Sequence, residues 1–104
     1  MSESRIIQLK QVIEEREDQP FPFYALALEY KNLGEFENSQ KFFKETLKRF
    51  PDYVPTFYHY GQLLEVLGEA EQARKVYNDG VVAAERAKDS HARSELLSAL
   101  NNLG

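Results

Sequence analysis

The chain has 104 residues, 42% of them hydrophobic and 29% charged, with seven Phe, six Tyr and no Trp. This is the composition of a folded chain with one modest core, too short for a catalytic domain plus a separate cofactor domain. The net charge of −4, with acidic residues spread along the chain, argues against the phosphate-neutralising face of a nucleic-acid binder, and the lack of cysteine excludes disulfides, a thiolate nucleophile and sulfur-ligated metal.

Apolar residues at Ile6, Leu9, Val12 and Ile13 predict an amphipathic first helix that runs into the charged stretch from Glu14 to Asp18. Pro20-Phe21-Pro22 breaks it and opens a second helix, from about Pro22 to Leu33, because proline fits a first turn and not a helix interior. Gly34 suits a left-handed cap, and a third helix, from about Phe36 to Phe50, is closed by Pro51. The connection at Gly34 is short enough to force these two helices antiparallel. A fourth helix opens at Pro55 and reaches Leu67, Gly68 ends it, and a fifth runs from about Ala70 to Lys88. The fifth is longer because Glu85 stands where the earlier unit has Pro51. Asp89 or Ser90 is the expected N-cap of a sixth helix carrying Leu96, Leu97, Leu100 and Leu103. The opening Met-Ser-Glu-Ser-Arg has no apolar stretch of the signal-peptide kind and no run approaches a membrane span, so a cytoplasmic protein is expected.

Phe23-Tyr24 through Leu33-Gly34-Glu35-Phe36-Glu37 returns 34 residues later as Phe57-Tyr58 through Leu67-Gly68-Glu69-Ala70-Glu71, with Lys41 and Lys75 in the same register. A period of this size in helical sequence indicates stacked helix pairs. The same shift places Leu9 on Phe43 and Ile13 on Leu47, so the first helix takes the second-helix register of a unit. A shift of 36 places Tyr60 on Leu96, Leu64 on Leu100, Leu67 on Leu103 and Gly68 on Gly104. The expectation is one domain over 1–104: an N-terminal half-repeat helix at 1–19, repeats at 20–53 and 54–88, and a capping helix at 89–104. Two repeats alone are marginal, so the outer helices are expected to cover the exposed faces.

These positions resemble the tetratricopeptide repeat family. The first unit supplies Phe23, Leu26-Ala27, Tyr30, Gly34, Ser39, Phe43, Thr46 and Pro51, and the second Phe57, Tyr60-Gly61, Leu64, Gly68, Ala73, Tyr77 and Gly80. The chain departs from the pattern in using Phe for the usual Trp, Leu64 for an aromatic and Glu85 for the closing proline. The resemblance implies an all-α fold, a right-handed superhelical array of antiparallel helix pairs. Small residues such as Ala27, Gly61, Ala73 and Gly80 would let backbones approach where aromatic knobs fill the facing holes. Phe23, Tyr30, Phe43, Phe57 and Tyr77 are expected in the core.

The resemblance also implies a concave face lined by first helices. The residues off the packing positions there are Phe21, Tyr24, Leu28 and Lys31, then Pro55, Tyr58, His59, Gln62 and Glu65, with His91, Glu95, Ser98 and Asn101 from the last helix. Tyr24 and Tyr58 recur one residue after the packing Phe, where an aromatic offers binding area and a hydroxyl, or pads the helix seam. Some family members hold a chaperone's C-terminal carboxylate in a clamp of Lys, Asn and Arg. The matching positions here are Tyr24, Leu28, His59, His91 and Glu95, so the clamp is absent.

Chemistry finds little support. His59 has no carboxylate in helical register, and His91 with Glu95 reads as a helix-start ion pair rather than a metal site. No phosphate loop or nucleophile motif occurs. The expectation is a non-catalytic adaptor with no cofactor, binding a protein or peptide partner and neither nucleic acid nor membrane. The alternative is a homodimer formed through Ile6, Leu97 or Leu100 exposed on the terminal helices.

Overall fold

The computed structural model describes residues 2–104, with side chains from residue 3 onward. Among the described residues there are six helices and no strand: α1 (Ser2–Glu15), α2 (Pro20–Asn32), α3 (Phe36–Arg49), α4 (Pro55–Val66), α5 (Ala70–Arg86) and α6 (Ser90–Leu103). They form two compact units, divided between Pro51 and Asp52, with α1 to α3 in the first and α4 to α6 in the second.

In the first unit α2 packs against both α1 and α3. It is therefore apolar on two sides, burying Pro22, Phe23, Ala25, Leu26, Ala27 and Tyr30, whereas α3 buries the single stripe Ser39, Phe43 and Thr46. Ile6 and Leu9 of α1 meet Ala25, Leu26 and Tyr30 in one cluster, flanked by Ile13 and Phe42. Phe23 and Phe50 are 5.8 Å apart, Tyr30 stacks on Phe42 at 5.7 Å, and the buried Ser39 hydroxyl donates to the Ala27 carbonyl at 2.7 Å. Arg5 pairs with Glu29 at 2.9 Å across α1 and α2. One expectation is overturned: Ile6 is buried, and its neighbour Ile7 is the exposed residue, at 60%. Two adjacent isoleucines cannot be told apart by hydrophobicity, and the 3.6-residue period lets only one of them share a face with Leu9.

In the second unit α5 is the central helix, packed against α4 and α6, and α4 also touches α6. Gly61 faces the Tyr77 ring, and Gly80 faces Phe57 and Leu96, so both glycines stand where helices approach closely. Leu96 is buried, as the 36-residue register requires. Asp89 is the N-cap of α6, its carboxylate accepting the Ala92 N–H at 3.0 Å, and Arg93 pairs with Glu85 at 2.9 Å.

Gly34 and Gly68 take φ of 79° and 78° at the ends of α2 and α4, the left-handed cap that glycine adopts without strain. The end of α5 differs from expectation. It stops at Arg86, and Lys88 adopts φ 57° in the same capping pattern, its N–H donating to Glu85 O and that of Asp89 to Ala84 O. Without a proline after α5, the chain turns into α6 within three residues and Lys88 absorbs the left-handed step.

Candidate protein-interaction surface

Burial of Phe57 against Gly80 sets the rotation of α4 and brings Tyr58, one residue on, to the edge shared with α6. Tyr58 is half-buried, with its ring 6.4 Å from that of Tyr77 and edge-on to His59 at 5.4 Å. Two adjoining hollows flank it. One, of about 290 Å³, is lined by Val54, Pro55, Tyr58 and His59 on one side and by Asp89, His91, Ala92, Glu95 and Leu96 on the other. The second, of about 340 Å³, is lined by Tyr58, Gln62, Glu65 and Tyr77, and by Glu95, Ser98, Ala99 and Asn102. Tyr58 and Glu95 belong to both.

The surroundings are acidic. Glu65, Asp89 and Glu95 contribute carboxylates, and no Lys or Arg lines either hollow. His91 Nε2 lies 3.8 Å from Glu95 Oε2, the helix-start pair expected from the sequence. The Tyr77 hydroxyl donates to the Glu65 carboxylate. Burial, then that hydrogen bond and the carboxylate's charge, push the Tyr77 pKa above its ordinary value, so the phenol remains a donor at neutral pH.

Tyr58, His59, Gln62 and Glu65 therefore line these hollows together with His91, Glu95 and Ser98. On α6, Asn102 takes the lining place expected of Asn101, since Ala92, Glu95, Ala99 and Asn102 form one stripe at helical spacing. Sequence reasoning assigned Tyr77 to the core, and its side chain is indeed buried, yet its hydroxyl reaches this surface. The antiparallel pairing of α4 and α5 about Gly68 was the available signal, because it sets Glu65 and Tyr77 on facing stripes. In the first unit Phe21 and Tyr24 lie side by side on α2, 6.2 Å between ring centres, and Phe21 is 52% exposed. Leu28 and Lys31 continue that stripe, both half-buried, and burial lowers the Lys31 pKa.

Among the described residues no three His, Cys, Asp or Glu side chains gather as a metal would need, and no helix is long and apolar enough to cross a membrane.

Antiparallel helix pairs joined by glycine-capped turns, with small residues opposite aromatic knobs, define a helical-repeat protein. Residues 22–53 match the tetratricopeptide repeat model. A tetratricopeptide repeat domain protein from Salinibacter ruber is 32% identical, with a TM-score of 0.78 for its crystal structure over 83% of this chain and 96% of that one. Its solution structure gives 0.79 over 83% and 87%. A Bordetella parapertussis protein, 21% identical, gives 0.80 over 94% and 85%, and MamA, 15% identical, gives 0.67 over 94% and 64%; these two share the fold. Curated proteins yield no match. The chain belongs to the tetratricopeptide repeat family.

Proposed function

We propose that the chain is a non-catalytic interaction module that binds a peptide or protein segment through first-helix residues of its repeats. Tetratricopeptide repeats generally mediate protein–protein interaction. The observation that carries the reading is Tyr58, a half-buried aromatic shared by two hollows with polar groups around it, the composition of an interface anchor. Phe21, Tyr24, Leu28 and Lys31 extend the same role along α2. In this reading residues 20–53 and 54–88 are the working repeats, and the helices at 1–19 and 89–104 cap them. Peptides selected on the protein should lose binding on Tyr24→Ala plus Tyr58→Ala with the far-UV helix signal intact; unchanged binding refutes the assignment.

Exposed Ile7 and Val12 on α1 and Leu97 on α6 favour a second reading, self-association through the terminal helices. Light scattering decides it, since a monomer at micromolar concentration removes the dimer.

A further inference from the structure

We propose, resting on the binding reading above, that the hollow between α4 and α6 takes an arginine side chain of the partner segment. The lining of the two hollows carries three carboxylates, Glu65, Asp89 and Glu95, against no Lys or Arg. Arg93 on α6 is engaged with Glu85 instead. Glu65 from α4 and Glu95 from α6 border the same hollow with Tyr58. A ring flanked by carboxylates suits a guanidinium, which stacks flat on an aromatic face while its N–H groups reach acidic oxygens on either side. Lysine fits less well, being a strongly hydrated point charge with no face to stack. Tyr77 sharpens the choice, because its buried hydroxyl holds one side of the Glu65 carboxylate and so fixes the acceptor before a ligand arrives. An anionic segment would face three like charges and no cationic partner from lysine or arginine.

The full chain is used to select peptides from a random display library, and one selected peptide is then synthesised with each arginine as such or as citrulline, which keeps the shape and removes the charge. The inference expects arginine enrichment and roughly tenfold weaker binding of the citrulline form. It also expects a similar loss on Glu65→Gln plus Glu95→Gln, shrinking as salt is raised, with Glu37→Gln on α3 as an unaffected control. Glutamine at 65 can still accept from Tyr77, and a far-UV spectrum verifies the fold. Selected peptides that need Tyr58 but bind equally well as citrulline forms overturn the arginine inference and leave the interaction surface standing. A library that yields no peptide dependent on Tyr58 overturns both.

Discussion

Replacing Gly61 by alanine tests the packing that places Tyr77 beneath the proposed surface. A Cβ built at Gly61 would lie 2.2 Å from Tyr77 Cε1 and 2.6 Å from both Cδ1 and Cζ. Ordinary contact begins near 3.4 Å, so ring and helix must separate by more than 1 Å. Tyr77 is fully buried and its hydroxyl is tied to Glu65, which leaves the ring little room to rotate away. Overpacking of this kind costs up to about 3 kcal/mol. Alanine returns about 1 kcal/mol as the better helix former. The net expectation is a loss of about 2 kcal/mol, or roughly 10 °C in the melting temperature of a chain this size. Urea and thermal melts followed by far-UV circular dichroism measure it. Because the clash is with one ring, Gly61→Ala and Tyr77→Leu should be coupled: the double variant should lose less than the two single losses added. A Gly61→Ala protein as stable as the parent, or additive losses, would refute the close approach of α4 and α5.

Lys88→Gly should stabilise the protein by about 1 kcal/mol, because a left-handed conformation strains a side-chain-bearing residue, and a higher urea midpoint would show it. Ser39→Ala should cost about 1 kcal/mol, since it removes the hydroxyl that donates to the Ala27 carbonyl in a buried seam; an unchanged midpoint would mean the bond contributes nothing net. The folded state favours neutral Tyr77, so its folded pKa lies above the ordinary 10.0. Its contribution to stability is complete below that value and declines as pH rises past it. Tyr77→Phe should therefore flatten the fall in urea midpoint as pH rises from about 10 to about 12, although Tyr53, also raised by burial, retains part of it.

Much of the fold was legible because the repeat carries its own check. Gly34 and Gly68 cap equivalent turns with positive φ, Phe43 and Tyr77 are both fully buried at the same repeat position, and Leu96 and Tyr60, matched by the 36-residue shift, are both buried. The misses occur where the repeat gives no second copy to compare. Ile6 in the outermost helix was expected to be exposed and is buried beside Leu9. Lys88 ends α5 where the matching segment of the first unit has a proline-closed loop, so no glycine announces its left-handed backbone. For the candidate surface, Tyr58, Gln62, Glu65 and Glu95, which the family resemblance sets off the packing positions, line one hollow. The set leaves out Tyr77, because it draws on first-helix and last-helix positions, whereas the buried Tyr77 reaches Glu65 from α5.

The central claim is that a partner segment docks around Tyr58 between α4 and α6. Amide NMR of the labelled protein titrated with a library-selected peptide tests it most directly. Shifts should concentrate at Tyr58, Gln62, Glu65, Glu95 and Ser98, and disappear at the same peptide concentration in Tyr58→Ala. Tight binding with shifts confined to α1 and α3, unchanged by Tyr58→Ala, would contradict it.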